Sequence, residues 1–497
     1  MRTEPRLRLE WPAAFLLCAA PAALLLSRAP GLPGVDGYFH IRFAQELRER
    51  GLPRNGFPWL AFGLWKRDFS DTSPLFHLLL IPFTFGSLVL GAKAATVLLS
   101  AFATSSLLAI LALDRVRARW YWFAVLLLGG WGYWWRMLLP RPELLSVAFL
   151  LWSLWALANG RRKAFACLSL AYPLAYAAPF LPQLAAAARW ARLRLFERRA
   201  EGGLLGWGLA ACAAGFVVHP YFPKDLRLFW VQVFRVMEQA LTRSAVLPPA
   251  SELTPLPPGP LLAAHLLVVV HLAALVWFLR RRPARLSERT RTLIPAFLIV
   301  AVLAVLARRF MEYAVPVGTL LCAYAYDDLL AGRSWRDLAR ALGARPEKAA
   351  AVWLALLAAG AAFQFGNLAL MLEKVPPPRL AALSRAVAAK APDGATVFAC
   401  RWDETPELFF HDDRRRYLAM MDPTFLYDTD PGVWTAWQAA VSGRLSPKAL
   451  RAVFRGVFHS RFGICDSKDV VFRAAIARDP AFRILRQDAG GYAFELR

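Results

Sequence analysis

The chain has few of the residues from which soluble catalytic and metal sites are built. Of 497 residues, 19% are charged, and there are only 7 histidines, 6 cysteines and 7 methionines. No two histidines have His-x-x-x-His spacing and no two cysteines form Cys-x-x-Cys, which argues against a zinc site. A Walker loop and a Gly-x-Gly-x-x-Gly turn are also absent, so neither common nucleotide-binding motif is present.

Acidic residues are scarce too, with 35 Asp and Glu against 60 Lys and Arg and a net charge of +25. In a soluble protein such an excess would suggest nucleic acid. Here 58% of the residues are hydrophobic, which predicts a polytopic α-helical membrane protein. Basic residues that flank apolar spans usually record membrane orientation, so we expect no nucleic acid partner.

Apolar stretches of roughly spanning length occur throughout the first three quarters of the chain. They lie near Trp11–Ser27, Ala94–Leu113, Tyr121–Leu139, Leu144–Ala158, Leu204–His219, Leu261–Leu279, Leu293–Ala307, Tyr313–Ala325 and Ala349–Leu372. Prolines interrupt the segment Ala164–Ala188, which predicts two short helices joined by a kinked turn. A further stretch, Leu75–Leu90, could cross the membrane or lie in its interface.

The positive-inside rule decides between these topologies. Six basic clusters fall on one side if Leu75–Leu90 lies in the interface and Ala164–Ala188 crosses twice. They are Arg2/Arg6/Arg8, Arg115/Arg117/Arg119, Arg161–Lys163, Arg189–Arg199, Arg280–Arg291 and Arg333–Lys348. The sequence therefore predicts about eleven transmembrane helices with a cytoplasmic N-terminus and an uncleaved first helix. Residues 31–74, residues 220–260 and everything after Glu373 are then external.

The composition changes after the last apolar stretch, where Pro376-Pro377-Pro378 ends the helix. Strand-like runs (Thr396–Arg401, Phe482–Arg486, Tyr492–Leu496) alternate with helical ones (Ala449–Phe458, Val470–Ala477), and the turn at 488–491 indicates a hairpin. We therefore expect a transmembrane domain over 1–374, with membrane-parallel helices in 31–74, and an extracytoplasmic α/β domain over 375–497. Cys400 and Cys465 could form a disulfide there or remain free thiols.

Two acids stand in the predicted first external loop. Asp36 follows the first span, where it could take a proton from an acceptor hydroxyl or hold a divalent metal ion. Its alternative role is to cap a helix beginning near Tyr38, and Asp71 precedes another apolar helix in the same way. Two acids in one loop are more than capping requires.

Further ionisable residues lie at the other predicted external turns. Arg136, Arg141 and Glu143 surround a Pro-Arg-Pro-Glu corner, which could bind a phosphate or form an internal ion pair. His219, Tyr221 and Lys224 open the second long loop, and Arg308, Arg309, Glu312 and Tyr313 open the next. A double arginine on the less basic face requires a compensating charge, either from Glu312 and Asp36 or from an anionic ligand.

The stretch at Asp36–Arg50 resembles the first external loop of the C-type glycosyltransferases, whose oligosaccharyltransferase members carry a similar Asp-x-Tyr-x-x-x-Arg sequence. More narrowly, five segments look like a little-characterised bacterial branch of this superfamily. They are Asp-Gly-Tyr-Phe-His, Phe-Pro-Trp-Leu, Leu-Phe-His-Leu-Leu-Leu-Ile-Pro-Phe, His-Pro-Tyr-Phe-Pro and Arg-Arg-Phe-Met-Glu-Tyr. The Trp-Trp-Asp acceptor motif of oligosaccharyltransferases has only a partial counterpart in Arg401-Trp402-Asp403, which argues against protein N-glycosylation.

The resemblance implies an enzyme of the bacterial inner membrane that transfers a sugar, externally, from a polyprenyl-phosphate donor to a lipid, glycan or protein acceptor. Carried onto this sequence, it implies that Asp36 is the general base or a ligand for Mg²⁺ or Mn²⁺. Arg308 and Arg309 would bind the donor phosphate, with Arg136, Arg141 and Glu143 around the acceptor or metal. We expect the catalytic residues to be Asp36, Asp71 and Glu143. We expect the substrate-binding residues to be Tyr38, His40, His77, Arg136, Arg141, His219, Tyr221, Lys224, Arg308, Arg309, Glu312 and Tyr313.

The implied chemistry is inverting displacement at the anomeric carbon, in which an acid activates the acceptor and arginines or a divalent cation stabilise the departing phosphate. Two other classes stay open. The chain could be a transporter or flippase of a polyprenyl-linked glycan, or a non-catalytic membrane assembly protein. Against transport, the sequence has no evident inverted repeat and few charges in the middle of its spans.

Overall fold

The computed structural model describes residues 5–199, 201–242, 247, 250–281, 285–330, 336, 340 and 345–497. Most of them are helical. The helices are α1 Pro5–Ser27, α2 Asp36–Arg50, α3 Leu64–Arg67, α4 Pro74–Leu80, α5 Leu88–Leu113, α6 Arg119–Leu127, α7 Trp131–Met137, α8 Glu143–Ala158, α9 Arg162–Ala175, α10 Phe180–Phe196, α11 Gly203–Val217, α12 Lys224–Trp230, α13 Val236–Thr242, α14 Pro258–Arg281, α15 Glu288–Leu306, α16 Met311–Leu330, α17 Pro346–Glu373, α18 Ala381–Ala388, α19 Thr405–His411, α20 Thr424–Tyr427, α21 Pro431–Val441, α22 Pro447–Gly456 and α23 Val470–Ala477.

Short turns of other helix types join some of these elements. They are the 3₁₀ turns Ile81–Thr84, Ser251–Leu253, Arg308–Phe310 and Trp402–Glu404, and the π-helical turn Val231–Arg235. The strands are β1 Thr396–Ala399, β2 Arg416–Tyr417, β3 Ser460–Asp466, β4 Phe482–Asp488 and β5 Gly491–Leu496.

The described chain divides into two compact units, each built from three segments. Unit 1 comprises Met1–Ala29, Ala94–His219 and Pro249–Lys374, and unit 2 comprises Pro30–Lys93, Pro220–Pro248 and Val375–Arg497. The first long loop and the C-terminal region therefore belong to one unit. The domain boundary expected near residue 375 stays a prediction.

Five described helices are long and apolar enough to cross a membrane by length and composition. These segments are Leu9–Ser27, Leu88–Leu113, Pro258–Arg281, Glu288–Leu306 and Ala350–Glu373. The expectation of a helical membrane protein is thus confirmed, while eleven crossings and their orientation stay predictions. Several shorter apolar helices, such as Glu143–Ala158, are largely buried within the protein.

One predicted span is broken in the structure. The apolar stretch Tyr121–Leu139 forms α6 and α7, and the break lies at Gly130, whose φ of 153° is accessible to glycine but strained for other residues. A Cβ atom on Gly130 would also lie 1.7 Å from the carbonyl oxygen of Ala264 on α14. Hydropathy missed the break because every residue around it is apolar. The proline-rich segment forms two helices, α9 and α10, as expected.

Small residues bring α11 against α9. The buried positions of α11 are Leu204, Gly208, Cys212 and Gly215, which recur at helical spacing along one face. At Gly215 the helices approach so closely that a Cβ atom would lie 2.3 Å from the backbone oxygen of Leu170. Small residues that allow close backbone contact are typical of helix packing in membranes.

Unit 2 contains a five-stranded sheet in the order β2-β1-β3-β5-β4. β1 pairs in parallel with β2 and β3, whereas β5 pairs antiparallel with β3 and β4. The expected hairpin is confirmed, because Asp488 and Gly491 pair at its closed end. β3 was not predicted. It brings Cys465 beside Cys400, and the two form a disulfide with a Cα–Cα distance of 5.1 Å.

The first loop and the C-terminal sheet share a hydrophobic core within unit 2. Phe39 and Phe57 pack in the same buried cluster as Phe409 and Ile464. Ion pairs add to this association, since Arg42 and Arg50 both contact Asp413 at 2.9 and 2.6 Å. The long loop is therefore a folded part of unit 2, and its side chains are held in defined positions.

The close contact of α11 and α9 predicts different outcomes for two glycines of one helix. Gly215→Ala places a methyl group against the Leu170 carbonyl, and we expect it to destabilise the protein by about 1–3 kcal/mol. Gly206→Ala is the control, because no atom lies within 4 Å of its Cβ position. Thermal unfolding of the purified protein in detergent measures both, and equal melting temperatures would contradict the packing argument.

Candidate functional site

The carboxylate of Asp36 lies in the first turn of α2 in unit 2. The helix begins at Asp36 itself, with Val35 in the N-cap position and no side-chain capping hydrogen bond. The alternative in which Asp36 caps a helix starting near Tyr38 is therefore wrong. An acid in the first helical turn is stabilised by the helix dipole, and Asp36 is half-buried. His40 follows four residues later and lies on the same face of the helix.

Asp71, His77 and His40 form a buried hydrogen-bonded chain, hereafter the Asp–His–His chain. The Oδ2 atom of Asp71 lies 2.7 Å from Nδ1 of His77, and Nε2 of His77 lies 2.8 Å from Nδ1 of His40. The other oxygen of Asp71 accepts the Ser73 backbone N–H at 2.9 Å. All three ionisable side chains are almost completely buried. The structure thus brings one predicted catalytic residue, Asp71, into contact with a predicted substrate-binding residue, His77, and through it with His40.

The order of donors in this chain determines the tautomers. When both imidazoles are neutral, the Asp71 carboxylate accepts the Nδ1–H of His77, and Nε2 of His77 then accepts the Nδ1–H of His40. The lone pair of His40 is consequently on Nε2. Aromatic edges surround the chain: Phe43 packs against His77 with 4.9 Å between ring centroids, and Phe76 against His40 with 5.4 Å.

Three other predicted residues of unit 2 have different environments. The Tyr38 hydroxyl accepts the Leu32 backbone N–H at 3.1 Å, and burial raises its pKa to about 12. Tyr221 packs edge-on against Phe69 at 5.3 Å, and burial, with the charge of Asp71 adding to it, raises the pKa of Tyr221. Lys224 is different, because its ammonium donates to the Arg54 carbonyl at an exposed position.

Unit 1 contains a cluster of six charged side chains, hereafter the charge cluster. Its members are Arg136, Arg141, Arg309, Glu143, Glu252 and Glu312. The guanidinium of Arg136 contacts Glu312 at 2.7 Å, Glu252 at 2.9 Å and Glu143 at 3.6 Å. Three positive and three negative groups make the cluster formally neutral. An internal Arg–Glu network, one of the two alternatives drawn from the sequence, is therefore what the structure contains.

The remaining contacts of the charge cluster bring in two residues that the sequence analysis missed. Arg309 contacts Glu143 at 3.2 Å and donates to the hydroxyl of Tyr176 at 2.6 Å. Glu252 lies 2.5 Å from Arg141 and 3.7 Å from Arg309. Burial disfavours the charged form of Glu252, but Arg141, Arg309 and Arg136 hold the pKa of this carboxyl well below its ordinary value.

Neither missed residue has a local sequence signal. Glu252 stands in a proline-rich loop, and Tyr176 stands in the turn of the interrupted segment Ala164–Ala188. Glu252 and Tyr176 become part of the site only because the beginnings of α8 and α16, with the turns that precede these helices, lie together. Residues distant in the chain cannot be paired from one sequence.

The two adjacent arginines, Arg308 and Arg309, have different surroundings. Arg309 belongs to the charge cluster, whereas the side chain of Arg308 bonds the hydroxyl of Thr254 at 2.8 Å and its backbone N–H bonds the carbonyl of Thr254 at 3.2 Å. Tyr313 donates to Ser146 at 2.8 Å between packed helices. His219 is buried at the end of unit 1. The charge cluster therefore does not include Arg308, Tyr313 or His219.

The residues that could hold a metal ion differ between the units. Glu143 and Glu312 each have a buried carboxylate oxygen without a hydrogen-bond partner, but the adjacent guanidinium groups already neutralise these carboxylates and disfavour another cation. Asp36 offers one half-buried carboxylate. Within the described part of the chain, the only group of three metal-type ligands is Cys400, Cys465 and Asp469, and two of these are joined in the disulfide.

Comparison with known proteins identifies the fold. The oligosaccharyltransferase AglB from Archaeoglobus fulgidus, in complex with an inhibitory peptide and a dolichol-phosphate, matches 99% of this chain and 74% of its own, with a TM-score of 0.66 and 12% identity. ArnT from Cupriavidus metallidurans, bound to undecaprenyl phosphate, matches 98% of both chains, with a TM-score of 0.61 and 14% identity. No protein-family model and no curated protein sequence matches the chain.

Both structural neighbours are C-type glycosyltransferases, so the resemblance stated from the first loop is confirmed at the level of the fold. The match covers nearly the whole chain, including the first loop and the C-terminal sheet. Sequence identity of 12–14% leaves the activity to be argued from the residues themselves.

The Asp–His–His chain predicts a stability difference between two acids of one loop. Asp71→Asn removes a buried, charged acceptor, and we expect a loss of about 1.5–3 kcal/mol. Asp68→Asn is the control, because Asp68 pairs with Arg227 at the surface, where such a pair contributes about 0–1 kcal/mol. Thermal unfolding in detergent compares them. If Asp71→Asn were as stable as Asp68→Asn, the Asp–His–His chain would contribute nothing to the free energy of unfolding.

Proposed function

We propose that this protein is a membrane glycosyltransferase that transfers a sugar from a polyprenyl-phosphate-linked donor to a lipid, glycan or protein acceptor at the external membrane face. One observation carries the proposal. The chain has, over almost its full length, the fold of proteins whose structures contain dolichol-phosphate and undecaprenyl phosphate. The buried arginines of unit 1 are side chains suited to such a phosphate.

The reaction is a single displacement at the anomeric carbon. The acceptor hydroxyl oxygen forms the new bond to that carbon as the bond from carbon to phosphate oxygen breaks. The bonding electron pair leaves with the polyprenyl phosphate, and the acceptor proton passes to a carboxylate. Attack opposite the leaving group inverts the anomeric configuration.

Asp36 is assigned the role of proton acceptor. Its carboxylate is half-buried at the start of α2, a helix that the unit 2 core holds in place. The carboxylate stands in the first turn of α2, where the helix dipole favours a negative charge. The Asp–His–His chain orients His40 on the same helical face, which suits a role in positioning the acceptor.

Arg136, Arg141 and Arg309 are assigned to the donor phosphate. During displacement the phosphate changes from a diester, with one negative charge, to a monoester with about 1.5 to 2. Guanidinium groups that are already in place stabilise this growing charge more than they stabilise the bound donor, and this difference lowers the barrier. Three arginines in one cluster supply several such groups at one place.

A divalent cation, Mg²⁺ or Mn²⁺, would be held by Asp36. Such ions commonly use one or two carboxylates together with water and substrate phosphate oxygens, and bound there the ion would act as a Lewis acid. The charge cluster does not fit a cation, for the electrostatic reason given above. Transfer lost in EDTA and restored by Mn²⁺ would show that the reaction needs a divalent cation, and transfer retained in EDTA would assign the stabilisation to arginines alone.

Purified protein in liposomes, supplied with labelled polyprenyl-phosphate sugars and envelope lipid acceptors, tests the proposal. A glycosyltransferase releases polyprenyl phosphate and yields a glycosylated acceptor. A flippase would move the labelled lipid between leaflets without releasing phosphate, and an assembly protein would do neither. Either of these outcomes would overturn the proposed reaction.

The assigned base predicts that Asp36→Asn lowers transfer by about 10²–10⁴-fold, the usual range for losing a general base. The control is Glu49→Gln, on the exposed end of the same helix, which should retain normal transfer. Both variants are compared by initial rate at equal amounts of folded protein. Full activity in Asp36→Asn would remove this carboxylate from the mechanism.

A further inference from the structure

Three guanidinium groups converge on the carboxylate of Glu252. Its Oε2 atom lies 2.9 Å from Nη1 of Arg136 and 2.5 Å from Nη1 of Arg141, and its Oε1 atom lies 3.7 Å from Nη1 of Arg309. The arginines come from α7, from the corner before α8 and from the 3₁₀ turn before α16. A carboxylate surrounded in this way has the same partners that a phosphate oxygen would choose.

The other two acids of the charge cluster are more deeply buried. The side chains of Glu143 and Glu312 are only 7% and 1% exposed, so rotating either away from the arginines would leave its carboxylate buried. Glu252, on the 3₁₀ turn Ser251–Leu253, has a side chain that is 23% exposed, so its carboxylate can rotate towards water. It is therefore the acid that can be displaced at the smallest structural cost.

The turn carrying Glu252 has an attachment of its own. Thr254 accepts the backbone N–H of Arg308 at 3.2 Å, and its hydroxyl accepts from the Arg308 guanidinium at 2.8 Å. Leu253 is buried beside it. These contacts do not involve the Glu252 carboxylate, so the side chain can release the three arginines while the backbone of the turn remains bound.

Charge favours exchange with a phosphate. Without Glu252 the cluster contains three arginines and two glutamates, a formal charge of +1. A sugar phosphodiester carries one negative charge and restores neutrality, and a phosphate monoester carries about 1.5 to 2 and binds more strongly still. A buried site with an unpaired positive charge would be unstable, so the three arginines need an anion at this position, and the Glu252 carboxylate supplies it.

We propose that Glu252 is a stand-in for the donor phosphate, occupying Arg136, Arg141 and Arg309 until a polyprenyl phosphate displaces it. This inference rests on the proposed function and adds a residue to it. Because Glu252 competes for the same guanidinium groups, it weakens phosphate binding. It also promotes departure of the polyprenyl phosphate product, which would otherwise remain bound as the more highly charged species.

The test is binding of farnesyl phosphate to the full-length protein in detergent, measured by titration calorimetry. Glu252→Gln keeps the shape of the side chain and removes its charge, so we expect about tenfold tighter binding, within the usual range for coupled binding events. Glu373→Gln is the control for net charge, because Glu373 pairs with Arg28 at an exposed position. It should bind like the wild type.

Two further measurements keep the result decisive. Glu252→Asp retains the charge on a shorter side chain, and its affinity should lie between those of the wild type and Glu252→Gln. Inorganic phosphate, titrated in parallel, should also bind more tightly to Glu252→Gln if the headgroup is what replaces the carboxylate. Tightening seen with farnesyl phosphate alone would instead indicate a site for the lipid chain and would overturn the stand-in role.

The outcomes separate this inference from the proposed function. Wild-type protein that binds farnesyl phosphate while Glu252→Gln binds it equally or more weakly would overturn the stand-in role and leave the donor class intact. If neither binds any phosphate, the donor class falls as well. Should Glu252→Gln be unstable, the Glu252→Asp titration decides: affinity equal to or below that of the wild type overturns the inference.

Discussion

The mutual neutralisation of buried charges in unit 1 is the interaction on which the candidate site depends. Arg136 is 8% exposed and Glu312 only 1%, and a charged group removed from water to that extent is strongly unfavourable unless it is paired. Each member of the charge cluster is therefore a condition for burying the others. The cluster joins α7, α8 and α16 at one place. The end of α7 and the beginnings of α8 and α16 must therefore lie where the charges can meet.

In unit 2 a buried carboxylate is stabilised by hydrogen bonds in place of ion pairs. A single buried carboxylate, Asp71, has no arginine beside it in the Asp–His–His chain and uses a backbone N–H and an imidazole to satisfy its two oxygens. The aromatic packing of Phe43 and Phe76 excludes water from these bonds. A rigid first loop results, and it is the element that carries Asp36, the proposed base.

The sequence predicted helices and strands well where a single local preference dominates. The hairpin of β4 and β5, the helix α23 and the apolar spans all follow from periodicity and turn residues. Predictions from local patterns were less accurate where two preferences compete. Gly130 breaks an apolar span that hydropathy treats as continuous, and Asp36 begins a helix instead of capping it. At Gly130 the close approach of α14 determines the backbone.

What the sequence determined by itself is the class of the protein and the residue types available for chemistry. Apolar runs require a membrane, basic clusters suggest its orientation, and the few acids and arginines outside the apolar spans form a short list of candidates. Only the tertiary structure decided which charges meet. Arg136 and Glu312 are 176 residues apart, and Glu252 joins them from a loop with no motif. Helix formation depends on neighbouring residues, whereas the partner of a buried charge depends on how whole helices pack.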